Sequence, residues 1–385
     1  MAVFRESVPR DLRGKMMELN WTLVLLLMLL GLAGIAMLYS VGGGSWSPWA
    51  LNHTIRLAVG MVAMVVIAML PPRFWMGVSY PAYVVALILL VLVEVGGVSI
   101  NGAQRWVDIG PIRIQPSEIM KLAIVLALAR FYHDLPGEKV TSLSGLIPPL
   151  VLICLPSLLI LKQPDLGTTL LLMATGVAVI FMAGLSWWFI LVVAVIGIVG
   201  IVGVSLYGLE NILAEYQMNR VHAFLNPEFD QLGINYHPNQ AVITLGSGGM
   251  TGKGFLEGTQ SQLGYLPERQ TDYIFTALGE EFGFVGGVSI LAINALIMAQ
   301  AVIIAVSCKS PFLRLLTIGI TTTYASYVFI NVGMVSRLLP VVGVPLPLVS
   351  YGGTVVLAVL AGFGLILGAH IHRNAEPPRG AGLFG

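Results

Sequence analysis

Residues 21–40, "WTLVLLLMLLGLAGIAMLYS", form a run of twenty residues without one charge. An α-helix rises 1.5 Å per residue, so about twenty such residues cross the roughly 30 Å hydrocarbon core of a bilayer. Similar runs recur at about 54–70, 78–95, 117–133, 144–161, 166–184, 187–207, 282–306, 313–336 and 350–371. Over all 385 residues, 57% are hydrophobic and only 10% charged, where a soluble domain carries about a quarter charged. The expectation is an all-α fold: a polytopic integral membrane protein with about ten transmembrane helices.

Several of these runs contain Pro or Gly, which membrane helices tolerate when their neighbours satisfy the freed backbone groups. The run 144–161 holds Pro148, Pro149 and Pro156 and is joined to 166–184 by a very short turn. Fusing the two would change the parity of the topology. With the N-terminus inside, eleven Lys and Arg from Arg5 to Arg379 fall on the inner side. Five (Arg56, Arg105, Arg113, Lys162 and Arg337) fall on outer short loops and span ends. That bias predicts both termini in the cytoplasm, and ten spans agree. The first run is too long for a cleavable signal and lacks a small-residue cleavage pattern. The expected organisation is a segment 1–20, a single membrane domain 21–371 with an extracytoplasmic loop 208–281 between spans seven and eight, and a tail 372–385. Cys154 and Cys308 lie far apart in or beside predicted spans and read as inert thiols. The net charge of +1 says little about partners.

Two outer segments stand out. "VGGVSINGAQRWVDIGPIRIQPSEIMKLA", residues 95–123, leads through Pro116 and Ser117 into a helix. The longer loop is too rich in dispersed aromatic and aliphatic residues to read as disordered, and a loop of that length is commonly functional. Short interfacial helices are expected near 212–225 and 236–246. Its cluster "GSGGMTGKGFLEG" (246–258) is not a phosphate-binding P-loop, because Ser247 and Gly254 stand where Gly and Ser or Thr are required. A turn whose amides and Lys253 meet an anion is one reading, and a plain loop the other.

Charge inside a membrane is expensive, so each charged residue needs a reason. Glu118 and Lys121 share one face of the fourth span. They read either as an ion pair pinning helices or as a polar cavity offering Lys121 to a phosphate. Asp165 in "KQPDLGTTL" reads as the N-cap of the next helix. Arg56 is placed to snorkel, and packing is the default for Arg337 and the loop "PVVGVPLPLVS" (340–350). "GYLPERQTDYIFTALGEEFGF" (264–284) crowds Glu268, Arg269, Asp272, Glu280 and Glu281 against an uncharged run. Asp272 there is either an N-cap or a carboxylate at the water–lipid boundary. Desolvation would raise its pKa and Arg269 lower it, which suits a general base; spacing alone leaves both readings open. Cations and a few carboxylates at headgroup level suit a substrate with a phosphate head and a lipid tail.

At these residues the chain resembles the SEDS family (shape, elongation, division and sporulation) of bacterial peptidoglycan polymerases. The resemblance runs from the first span to "AGFGLILGAHIH". It rests on "NGAQRWVDIGPIRIQPSEIMKLA", "QPDLGTTL", "GSGGMTGKGFLEGTQSQLGYLPERQTDYIF" and "NVGMVSRLLPVVGVPLPLVSYGGT". The stretch "GTQSQLGYLPERQTDYIF" points to the branch that determines rod shape. The resemblance implies a ten-span glycosyltransferase of the bacterial inner membrane that polymerises lipid II on the periplasmic face. An acceptor 4-hydroxyl attacks the anomeric carbon of a lipid-linked donor, undecaprenyl diphosphate leaves, and a β-1,4 bond forms with inversion. It assigns the general base to Asp272 and substrate contacts to Glu118, Lys121, Arg56 and Arg105, with Arg269, Lys253 and Asp165 at further motif positions. It also implies a divalent cation, Mg or Mn, although no dedicated metal-binding cluster is visible. Expected partners are lipid II, the growing glycan strand, a class B penicillin-binding protein for crosslinking and other elongation-machinery proteins; no nucleic acid is expected. A lipid II flippase and a recruiting scaffold are the competing readings. A flippase needs charge through the inner half of the bundle, and a scaffold leaves Asp272 and Lys121 unexplained.

Overall fold

The computed structural model describes residues 11–378, except 101, 102, 110, 111 and 267 and most of the stretch 186–234. Among the described residues the long apolar runs are helical. A short helix α1 (Leu12–Met17) precedes α2 (Trp21–Val41), α3 (Trp49–Met69) and α4 (Pro72–Gly96). Strands β1 (Val98–Ile100), β2 (Ala103–Ile109) and β3 (Ile112–Ile114) lead into α5 (Pro116–Asp134), α6 (Leu143–Lys162) and α7 (Leu166–Met182). Then come α8 (Tyr236–Ser247), α9 (Thr259–Gln262), α10 (Ile274–Ser307), α11 (Pro311–Val335) and α12 (Gly353–Ile371).

Among the described residues, α2, α3, α4, α6, α10, α11 and α12 are long and apolar enough to cross a membrane. They leave large apolar side chains such as Leu25, Leu29, Val62 and Val85 exposed, as surfaces facing lipid do. Helix α5 differs for a physical reason. It is packed against α4, α11, α7, α6 and α12, and nearly all its side chains are buried. A helix surrounded by protein need not be apolar towards lipid, so it can carry Glu118 and Lys121, paired with each other and with Tyr327 of α11, and Arg130, paired with Asp134 one turn on. Helix α7 is apolar but only 17 residues long.

The expected boundaries shift where polar residues are carried inside. The second helix begins at Trp49 rather than 54, because His53 is fully buried and bonded at 3.0 Å to the Leu348 carbonyl. The third begins at Pro72 rather than 78. Helix α6 runs unbroken through its three prolines, and Gln163 to Asp165 separate it from α7, so the two runs remain two helices. The eighth expected span, 282–306, proves to be the C-terminal part of a 34-residue helix from Ile274, bent at Gly283 (φ 66°). The expected span 187–207 and interfacial helix 212–225 lie outside the described residues, whereas the one at 236–246 is α8.

The three-stranded antiparallel sheet was not anticipated. Strand β2 lies between β1 and β3, with Val107 opposite Ile114 and Asp108 opposite Arg113. Arg113 bridges to Asp108 at 2.8 and 3.2 Å across the strands. The sheet sits over α4 and the start of α5.

Candidate active site

Asp272 lies in the turn before α10. The helix N-cap is Tyr273, and no side chain caps that end. Asp272 therefore stands one residue before the N-cap position of α10. Its side chain is half-buried. Its backbone carbonyl accepts a 2.9 Å bond from the Asn331 amide, which also donates at 2.7 Å to the Val344 carbonyl. A Cβ added to Gly343 would stand 3.4 Å from Asp272 Oδ2, so glycine backbone runs beside the carboxylate.

Above this floor opens a cleft of about 850 Å³, lined by Glu268, Asp272, His237, Arg337, Pro340 and Gly343 among others. The guanidinium of Arg337 is held by Asn239 Oδ1 (2.6 Å), Asn235 Oδ1 (3.0 Å) and the Ala223 carbonyl (3.3 Å). The His237 ring stacks on Tyr273 at 6.3 Å. Burial pulls the His237 pKa down from its usual value, and Glu268 only partly offsets this.

Glu118 and Lys121 stand elsewhere. They are 3% and 2% exposed and pair at 2.6 Å. Tyr327 closes a triad, accepting from Lys121 and donating to Glu118 Oε2 at 2.6 Å. The adjoining cavity of about 330 Å³ is lined largely by apolar side chains and shares no lining residue with the Asp272 cleft. The ion-pair alternative describes this geometry. Tyr327 and Asn331 lie four residues apart on α11, about 6 Å along its axis, so one helix touches both places.

The remaining sequence candidates scatter. Arg56 lies over the Tyr351 ring at 4.8 Å. Tyr351 donates its backbone N–H at 2.7 Å to Gln270, next to Arg269. Arg56 and Arg269 each keep a buried Nη1 with no hydrogen-bond partner. Arg105, on β2, donates to the Gln163 and Pro164 carbonyls at the end of α6. Its Nε also stands 3.8 Å from Asp165. Asp165 caps α7 as expected, accepting from the Thr168 amide at 3.1 Å.

Lys253 is engaged within the protein. Its ammonium is taken up by Glu280 at 2.6 Å and by Thr259 at 2.8 Å, and it does not line the cleft. Two glycines of the cluster, Gly248 and Gly252, lie against the backbone of α10. Gly252 has φ +82°, and a Cβ there would strike the Glu281 backbone at the bend of α10. The fully buried Glu280 accepts further bonds from the Gln260 and Ser261 amides (2.7 and 3.0 Å), fastening the loop to the helix.

Sequence reasoning overlooked Tyr327, Asn331 and His237 and left Arg337 to packing. A signal was present for two of them: Thr323, Tyr327 and Asn331 recur every four residues on a membrane helix, one polar stripe. Nothing in the sequence brings Arg337 to Asn235 and Asn239, about a hundred residues away.

The residues present do not build a cage for the implied divalent cation. Among the described residues no three of His, Cys, Asp and Glu converge, whereas a protein-made Mg or Mn site gathers several oxygen ligands.

Residues 17–375 match the FtsW, RodA and SpoVE family model, described as cell cycle protein. The peptidoglycan glycosyltransferase MrdB of Escherichia coli K12 is 45% identical over 322 residues, 83% of this chain and 85% of the relative. Stage V sporulation protein E of Bacillus subtilis is 34% identical over 90% of this chain and 95% of its own. Among solved structures, a chain from a peptidoglycan synthase complex that coordinates polymerization and crosslinking superimposes with a TM-score of 0.78 at 31% identity. It covers 92% of this chain and 98% of that one. The rod shape determining protein RodA of Thermus thermophilus gives 0.69 at 29% identity, covering 93% and 98%.

Proposed function

The chain belongs to the FtsW, RodA and SpoVE family of cell cycle proteins, and from that premise we infer that it is a peptidoglycan glycosyltransferase that polymerises lipid II. It is a multi-pass membrane enzyme, and its proposed place is the bacterial inner membrane with both termini in the cytoplasm and the cleft open to the periplasm. The observation that carries the reading is Asp272: a half-buried carboxylate one residue before the N-cap of α10, in the lining of the cleft.

In the proposed reaction the Asp272 carboxylate takes the proton of an acceptor sugar 4-hydroxyl. The oxygen attacks the anomeric carbon of a lipid-linked donor, and the bond from that carbon to the diphosphate oxygen breaks with inversion. The electron pair leaves with undecaprenyl diphosphate. A diphosphate develops charge as it leaves, so cations fixed in advance act mostly in the transition state. Arg337 lines the cleft, and Arg56 and Arg269 carry guanidinium nitrogens without acceptors. Glu118, Lys121, Arg105 and Asp165 support the site by holding helices and turns. The cleft and triad derive no step from a divalent cation; Mg or Mn, when bound, would supply charge neutralisation at the diphosphate. The synthase complex to which this chain is similar supports a class B penicillin-binding protein as the crosslinking partner.

The test is to purify the chain with such a partner, supply lipid II in detergent and separate glycan strands on a gel. Polymer from the parent and none from Asp272→Ala is expected. Polymer at the parental rate from Asp272→Ala removes the acid's assignment. Transbilayer movement of lipid II without polymer establishes a flippase instead.

A further inference from the structure

Asn331 stands between the two chain segments that form the floor of the cleft. It is fully buried on α11, and its amide donates to Asp272 on one side and Val344 on the other. The α10 ladder starts at the Tyr273 carbonyl, which accepts from the Thr276 and Ala277 amides, so the Asp272 carbonyl lies one residue too early to join. Val344 lies in a stretch with no regular secondary structure. A buried carbonyl left unpaired is costly, and here one side chain satisfies two.

The orientation of that amide is settled by its neighbours. Turning it over would put Asn331 Oδ1 against two carbonyl oxygens; as it stands, Oδ1 is buried without a partner. The side chain is thus kept for its donors at the expense of its acceptor. Residue 343, next to Val344, is the glycine whose missing Cβ leaves room for Asp272 Oδ2. One amide therefore fixes both the backbone that carries the acid and the backbone that faces it. Its own helix is anchored one turn earlier by Tyr327 on Glu118.

We propose that Asn331 is a positioning residue for Asp272, clamping the acid to the Gly343–Val344 wall of the cleft; this rests on the assignment of Asp272 as the base. Reacting groups displaced by about 1 Å lose on the order of a hundredfold in rate. The loss should fall on turnover, because the cleft's binding walls at His237 and Arg337 belong to other contacts.

The experiment uses the full chain with its penicillin-binding partner and lipid II. Asn331→Leu keeps the shape of the side chain and removes both donors; Asn331→Ser stands in where the leucine variant does not fold. The expected result is kcat reduced at least tenfold with KM near the parental value. Hydrogen–deuterium exchange should quicken in both 268–276 and 341–349 but not in α5. Parental kcat in a folded variant, a change confined to KM, or parental exchange in both segments would each overturn the proposal. A parent that makes no polymer defeats the polymerase reading instead, and the exchange measurement then decides the clamp by itself.

Discussion

The phenolic hydroxyl of Tyr327 donates a 2.6 Å hydrogen bond to Glu118, whose other oxygen is paired at 2.6 Å with Lys121. All three side chains are buried, and two helices are thereby fixed by one charged contact. Removing one member of a buried pair strands the other's charge, which costs about 3–5 kcal/mol. Lys121→Met and Glu118→Gln are each expected to lower thermal stability in detergent by that order, and the double variant to recover much of it. Equal losses that simply add would refute the coupling.

Asp272→Asn preserves size while removing the base. General-base catalysis contributes roughly 10²–10⁴ in rate, so initial glycan synthesis should fall by about that factor. The melting temperature should stay near the parent's. A quantitative time course on gels checks this.

Lys253 separates a structural role from substrate contact. Its ammonium and two backbone amides neutralise Glu280, which is sealed from solvent. Lys253→Met is expected to lower stability while leaving the KM for lipid II close to parental. A raised KM with unchanged unfolding would restore Lys253 to the substrate site.

His237 gives the cleft an acid-sensitive wall. Burial holds its imidazole below the ordinary value near 6.5, so in that window the unfolded chain binds more protons than the folded one. Stability should therefore fall as pH drops from about 6.5 through the depressed folded value, and be indifferent to this group above it. His237→Gln should flatten that limb of the melting temperature plotted against pH. An unchanged limb would assign the sensitivity elsewhere.

Much of the membrane architecture was legible because a bilayer imposes length and apolarity on each helix separately. Runs such as 21–40 and 313–336 emerge close to their expected bounds as α2 and α11. The Asp165 cap was legible for a similar reason: it binds an amide three residues along the chain. The strands 98–114 were missed because their apolar and polar residues alternate over very short lengths, beside signals for much longer helices. Lys253 was left between two readings because a glycine-rich loop looks alike whether its glycines admit an anion or a neighbouring backbone.

The sequence alone determined that this chain crosses a membrane many times and that Asp272 and Lys121 are charges demanding explanation. Those conclusions rest on local costs, of charge in hydrocarbon and of helix ends, which each segment bears by itself. Which charges meet was decided only by the tertiary structure. It sent Lys121 into a buried triad and Lys253 to Glu280, and it brought Arg337 and Asn331 to the acid. Pairing energies depend on distances between residues far apart in the chain, and only the packing of the helices sets those distances.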